Sequence, residues 1–290
     1  MRMKVWGARG SVPAPGPETM RYGGNTSCVE LTLSDGSLLI LDAGTGIHNL
    51  GLALPQVERP IHILLTHLHL DHIQGLMFFA PAFRPGAEIV IWGPPSPEAS
   101  LCDRVARYIS APLAPVEVRE LPSIVSFREA DAVEWEIGPA RIQAQAVNHR
   151  GQTLGYRIED GEASVCYIPD HEPGLGTPLS ELDDDWISGF ELARDASLLI
   201  HDCQYTDVEY QSHVGWGHSP MSDALIFARR TGAEQLLLFH HDPLHSDDFL
   251  DGFRQEFLAR WQELGGAGEQ VDMASERREI ALAPGATQPA

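Results

Sequence analysis

Lysine is almost missing from this chain. Lys4 is the only one among 290 residues, beside 19 arginines, and 41 acidic residues leave a formal net charge of −21. A protein that grips a polyanion needs a cationic face, because phosphate contacts supply most of the affinity. No basic run is present, so strong nucleic-acid binding is not expected. Long apolar runs are also missing: no window approaches the ~18 residues of a membrane span. The opening Met-Arg-Met-Lys-Val-Trp-Gly has no apolar secretion core. Cysteine is scarce and scattered at Cys28, Cys102, Cys166 and Cys203, with no CxxC pair. That excludes a disulfide framework and a thiolate metal site, and it suits a reduced, cytoplasmic protein. The rest of the composition, 43% hydrophobic with 21 prolines, is that of a folded globular chain. No linker or repeat is visible, and the expectation is one domain over 1–282 with a disordered tail over 283–290.

Apolar alternation between turn residues predicts strands at Met3–Trp6, Ser27–Leu33, Ser37–Leu41, Ile61–Leu65 and Glu88–Trp92. Further strands are expected at Ala132–Ile137, Ala140–Ala146, Leu154–Glu159, Ser164–Ile168, Ser197–Ile200 and Leu236–Phe239. Helices are expected at Ser96–Ser110, Asp183–Asp195 and Ser219–Thr231, the last capped by Ser219 with Pro220 at its first position. Asp247–Leu264 reads as an amphipathic helix whose Phe249, Phe253, Phe257 and Trp261 form a buried stripe. Pro112–Pro122 is expected to be extended. Strands cluster in each half with helices between them, an α/β pattern.

The densest chemistry lies in Thr66-His67-Leu68-His69-Leu70-Asp71-His72, directly after an apolar strand. Imidazoles and carboxylates packed so closely cost folding energy unless something pairs them, and a metal ion does. His67 and His69 point the same way on extended backbone, and Asp71 and His72 follow in the turn. Histidine or aspartate recurs where other strands end, at His149, Asp170, His201-Asp202 and His240. Strand ends combine a fixed position with access for a ligand.

The His67-Leu-His69-Leu-Asp71-His72 run resembles the HxHxDH signature of the metallo-β-lactamase-fold hydrolases. The resemblance implies an αββα sandwich, two mixed sheets face to face with helices outside. It implies two divalent metal ions, zinc by default for histidine-dominated donors, with manganese or iron compatible. By resemblance His67, His69 and His149 take one ion, Asp71, His72 and His240 the other, and Asp170 bridges. Strand alternation lets only one of His240 and His241 face the ions, and His240, which ends the strand directly, is the choice. Asp42, in Asp42-Ala43-Gly44, would support the metal loop, or else cap the next element. His171 and His201 read as supporting or structural, and His48, His62 and His245 as structural or exposed.

Trp216-Gly217-His218-Ser219 resembles the Gly-His-Ser/Thr of the branch that holds the transfer-RNA 3′-processing nuclease and small cyclic phosphodiesterases. There the histidine donates a proton, and an acid on the preceding strand orients it; here those are His218 and Asp202. Asp71, His218 and Asp202 are thus the residues given a part in catalysis. The nuclease carries a long arm before its bridging aspartate, whereas only the 20 residues Arg150–Pro169 separate His149 from Asp170 here. The expected activity is hydrolysis of a small anionic phosphodiester, a cyclic nucleotide or cyclic phosphate among the choices. A lactone, thioester or lactam hydrolase on the same ions, and a non-catalytic metal-binding module, are the other readings. Oligomeric state is left open, a homodimer included.

Overall fold

The computed structural model describes residues 1–56, 58–130 and 134–282. Its strands in chain order are β1 (Arg2–Gly7), β2 (Cys28–Thr32), β3 (Leu38–Leu41), β4 (Ile61–Leu64), β5 (Glu88–Gly93), β6 (Ile124–Glu129) and β7 (Glu134–Ile137). They continue with β8 (Ala140–Ala146), β9 (Leu154–Asp160), β10 (Ala163–Ile168), β11 (Leu198–Asp202), β12 (Leu236–Phe239), β13 (Val271–Met273) and β14 (Glu279–Ala281). Among the described residues they make two seven-stranded sheets, ordered β14-β1-β2-β3-β4-β5-β6 and β13-β12-β11-β10-β9-β8-β7. Each sheet is half antiparallel and half parallel. The first is antiparallel from β14 to β3 and parallel from β3 to β6. The second is antiparallel from β7 to β10 and parallel from β10 to β13.

Alternating side chains sort into layers. Val5, Leu31, Leu39, Leu41, Ile158, Val165, Tyr167 and Phe239 pack between the sheets. The opposite faces of the same strands, Ile40 on β3 and Cys166 and Ile168 on β10, pack against helices outside. Strands buried on both faces read as continuous apolar runs, and β3 and β10 are buried at every position. The helices are α1 (Gly46–Ala53), α2 (Leu70–Ile73), α3 (Leu101–Tyr108), α4 (Phe190–Ala193), α5 (Asp207–Tyr210), α6 (Met221–Thr231) and α7 (Asp247–Glu263). The architecture is the αββα sandwich with two mixed sheets, and no helix among the described residues is long and apolar enough to cross a membrane.

Several local expectations fail for identifiable reasons. The helix expected over Asp183–Asp195 is a 3₁₀ turn at Asp184–Trp186 and the four-residue α4, separated by Gly189 at φ 70°. Helix α3 starts at Leu101, not Ser96, because the Ser100 hydroxyl accepts from the Asp103 amide and caps it there. Ser219 caps nothing: its hydroxyl donates to the His171 carbonyl at 2.6 Å, and α6 begins after Pro220. Pro112–Pro122 contains a 3₁₀ turn at Val118–Glu120. On α7, Phe253, Phe257 and Trp261 are core, but Phe249 is 40% exposed and stacks on His245 at 4.0 Å between ring centres. Ala132, placed in a strand by the sequence, and the tail 283–290 lie outside the described residues.

Candidate metal centre

The carboxyl ends of the central strands share one edge of the sandwich. Asp42 follows β3, the His67–His72 loop follows β4, Asp170 follows β10, Asp202 ends β11 and His240 follows β12. His149 follows β8, which runs in the same direction as β10. The parallel halves of both sheets thus deliver their loops to one place, as open α/β sheets do.

Donor atoms of Asp71, His72, Asp170 and His240 lie within 4.8 Å of one another, and so do those of His67, His69 and His149. Asp170 stands between the groups. Its Oδ2 is 3.8 Å from His67 Nε2, 3.7 Å from His149 Nε2 and 3.3 Å from His240 Nε2, and its Oδ1 is 3.1 Å from His72 Nε2. Asp71 Oδ2 lies 3.3 Å from His72 Nε2 and 3.2 Å from His240 Nε2. His240 adopts φ 62° to turn inward. Its neighbour His241 points away, Nε2 2.8 Å from the Ala274 carbonyl.

Most imidazoles are held by their other nitrogen. His72 Nδ1 donates to Asp42 Oδ2 at 2.8 Å, His149 Nδ1 to the Gly217 carbonyl at 2.7 Å and His240 Nδ1 to Gln204 Oε1 at 3.1 Å. Because each outer nitrogen is tied to an acceptor, each Nε2 is the atom aimed inward, where a metal ion can take the place of any proton it carries. Asp42, fully buried at φ 58°, also accepts from the Thr66 amide at 2.8 Å, the Thr66 hydroxyl and the Tyr167 hydroxyl at 3.0 Å. It anchors the metal loop and caps no helix. The Ser11 amide donates to Asp71 Oδ2 at 2.8 Å.

Burial drives His67, His69 and His149 below the usual histidine range. Burial pushes His72 and His240 the same way, but Asp170 and Asp71 outweigh it, holding His72 well above its usual range and raising His240 to about 9. Burial opposes charge on Asp170 too, yet His240 and His72 keep its carboxyl well below the usual range. The cluster is therefore a pair of buried carboxylates balanced by protonated imidazoles, and a divalent ion can replace those protons. Three buried atoms aimed into it, His67 Nε2, His72 Nε2 and Asp170 Oδ1, have no hydrogen-bond partner. Buried ring nitrogens and a carboxylate oxygen left without partners around one space fit divalent metal ions.

His218 sits beside the cluster, its ring stacked on His240 at 4.9 Å and edge-on to His149 at 4.9 Å. Its Nδ1 lies 2.7 Å from Asp202 Oδ2. Asp202 also accepts the amides of His171 at 3.0 Å, Gln204 at 2.9 Å and Ser219 at 3.3 Å. Of the histidines set apart by the sequence, His171 and His201 form a buried pair with ring nitrogens 2.9 Å apart. His48 is exposed, His62 half-buried and His245 buried against Glu209. Gln204, Ser11 and Glu172 belong to the site's support and were not expected. They act through backbone or single polar contacts that leave no spacing pattern in sequence.

A family model described as "Beta-lactamase superfamily domain" matches residues 38–241, a span from just before Asp42 to His241. The chain belongs to the beta-lactamase superfamily. Within this superfamily it is a metal-dependent hydrolase, with the histidine and aspartate donors gathered as above. It is 25% identical to Ribonuclease Z of Kineococcus radiotolerans over 295 residues, covering 88% of this chain and 90% of that one. Its fold is shared by the metallo-beta-lactamase fold protein YhfI of Bacillus subtilis, at TM-score 0.69 and 20% identity, over 97% of this chain and 99% of the other. It is shared as well by the short form of human tRNase Z, at TM-score 0.66 and 20% identity, over 98% and 100%. These relatives correct one expectation. Strong nucleic-acid binding was excluded from the net charge of −21, yet the chain aligns nearly end to end with ribonucleases. Net charge sums the whole surface, while a phosphate responds to charges within a Debye length of about 8 Å. The acidic total does not exclude nucleic acid as a partner.

Proposed function

We propose that this superfamily member hydrolyses phosphoric diesters. In this reading His67, His69 and His149 hold one divalent ion, Asp71, His72 and His240 a second, and Asp170 both. Zinc suits the histidine-rich, cysteine-free donors best, with manganese or iron compatible. Bound there, the ions supply positive charge for phosphoryl oxygens and make water a nucleophile at neutral pH.

The observation that carries the reading is the His218–Asp202 pair, 2.7 Å between Nδ1 and Oδ2, set against the donor cluster. Asp202 is itself held by three backbone amides, so it fixes the orientation of the ring. His218 Nε2 is left free at the edge of the cluster to protonate a departing alkoxide. The leaving alkoxide of a phosphodiester needs that proton, whereas the thiolate of a thioester does not. The finer reading is a small diester such as a cyclic nucleotide or cyclic phosphate, supported by the short β9–β10 hairpin that fills the interval between His149 and Asp170. Nucleic-acid strands carry the same diester and belong in the same test. We further take residues 1–282 as one hydrolase domain, acting in the cytoplasm, where its four free cysteines stay reduced.

Metal-loaded protein should be assayed on bis-p-nitrophenyl phosphate, a 2′,3′-cyclic nucleotide, an RNA with a 3′ trailer, a lactone and a thioester. Turnover of the diesters with none of the acyl compounds is expected. Turnover of the lactone or thioester alone would replace the proposal with carbon-centre hydrolysis. Turnover of the RNA without either small diester would remove the small-substrate part.

A further inference from the structure

The stretch Asp170-His171-Glu172 sends one residue into the donor cluster and another somewhere less expected. Glu172 is 1% exposed. Its Oε1 accepts the Tyr210 hydroxyl at 2.7 Å and the Gly215 amide at 2.8 Å, and its Oε2 accepts the Gly217 amide at 2.8 Å. Its own amide donates to the Asn148 carbonyl at 2.9 Å, immediately before His149. All three groups facing the carboxylate are donors, which suits an acceptor-only side chain and offsets the cost of burying it.

The turn that Glu172 clamps, Gly215-Trp216-Gly217, has both glycines at positive φ, 81° and 92°. A side chain at Gly217 would meet His149 Nδ1 at 2.4 Å, so the backbone there must approach the imidazole closely. The Gly217 carbonyl receives the His149 Nδ1 proton at 2.7 Å, and the next residue is His218. Among the described residues, the other polar contacts of the His149 ring lie in the donor cluster, with His69 at 3.3 Å and Asp170 at 3.7 Å.

We propose that Glu172 is a positioning residue for the reaction. By fixing both amides of the turn it aims the Gly217 carbonyl at His149, selecting the tautomer whose Nε2 faces the donors, and it sets the backbone from which His218 reaches the leaving group. The inference deepens the phosphodiesterase reading and rests on it for the part concerning His218. The part concerning His149 does not depend on activity.

The test is Glu172→Gln, which turns one acceptor into a donor facing a donor. Nitrogen-15 imidazole spectra of the metal-free protein should show His149 as the single Nδ1–H tautomer in the parent and as a mixture in the variant. In metal-loaded protein, kcat on a 2′,3′-cyclic nucleotide should fall roughly 10–100-fold, the usual scale for residues that orient ligands, with KM changed less than about threefold. The fall should be smaller on bis-p-nitrophenyl phosphate, whose leaving group needs no proton. Tyr210→Phe, which removes one donor to Glu172 and leaves its bonds to both turn amides in place, should show the same substrate order at a few-fold scale. Equal losses on both esters, with an unchanged His149 spectrum, would make Glu172 a plain structural clamp and overturn the proposal. If Glu172→Gln fails to fold, Tyr210→Phe decides alone, and no difference between the esters overturns it. A parent that cleaves neither diester refutes the phosphodiesterase reading instead, leaving the His149 spectrum to judge Glu172.

Discussion

On the proposed reading, His218 and Asp202 divide the work of one proton. If the ring donates to the departing oxygen, His218→Ala should leave metal content unchanged while lowering kcat by roughly 10²–10⁴-fold on alkyl or nucleoside diesters. The loss should be milder on nitrophenyl esters, and Asp202→Asn should follow the same order more weakly, by misorienting the ring. Steady-state rates on both ester types, with elemental analysis, check this; equal losses would mean the imidazole acts only as a charge on the phosphoryl oxygens. The residues that make this prediction possible were legible in sequence to unequal degrees. His67, His69, Asp71 and His72 are local, and their spacing alone places them on one turn. His149, Asp170 and His240 were legible as polar residues where apolar strands stop, and His218 through the resemblance carried by Gly217-His218-Ser219 ahead of a helix. Asp42 was visible but ambiguous, because its contacts reach Thr66, His72 and Tyr167, up to 125 residues away. Glu172 and Gln204 could not be read, since a side chain bonded to remote backbone amides or a single ring nitrogen has no periodicity to show.

Elements that bury two faces were the easiest to place: β3, β10 and β12 fall within a residue or two of their apolar runs. Helices were harder, because their limits are set by caps and by residues in left-handed backbone that pattern does not specify. Gly189 cuts one expected helix, and Ser100 starts another late. Helix α6 also carries an unexpected acid. Asp223, in its first turn, is 8% exposed, and burial, with Asp207 and Glu172 nearby, pushes its carboxyl up to about 7. The helix N-terminus favours the ionised form by under ~1 kcal/mol, too little to cancel burial. The folded state therefore binds this proton more tightly than the unfolded chain, whose value is near ~3.9. Stability from this group is present below about pH 4 and is lost as pH rises through about 7. Asp223→Asn should be stabilised relative to the parent at pH 8, by on the order of 2–3 kcal/mol, and hardly at pH 4. Urea denaturation at the two pH values measures it, and an equal effect at both would assign the change to packing.

Across the whole molecule, charge was the misleading signal and topology the reliable one. A total of −21 spread over the surface says little about a site where clustered imidazoles and carboxylates set the field. On the proposed two-ion reading, the ions are also part of the fold's stability, because without them Asp71 and Asp170 depend on protonated His72 and His240. Removing them with a chelator should release close to two ions per chain and lower the melting temperature. Readdition of zinc at about a thousand times Kd should restore on the order of 4 kcal/mol for each site filled. Calorimetry before and after treatment, with elemental analysis, checks it; an unchanged melting temperature would uncouple the ions from folding. Each donor triad straddles the sandwich. His67 and His69 come from the first sheet and His149 from the second; Asp71 and His72 come from the first sheet and His240 from the second. The first sheet is itself finished only by β14, which pairs with β1 across nearly the full length of the chain, Arg2 opposite Ala281. During folding, neither sheet alone offers more than two members of a triad, so ions cannot nucleate either half. Metal uptake should therefore come late in refolding, after the two sheets have docked, and its rate should report that docking.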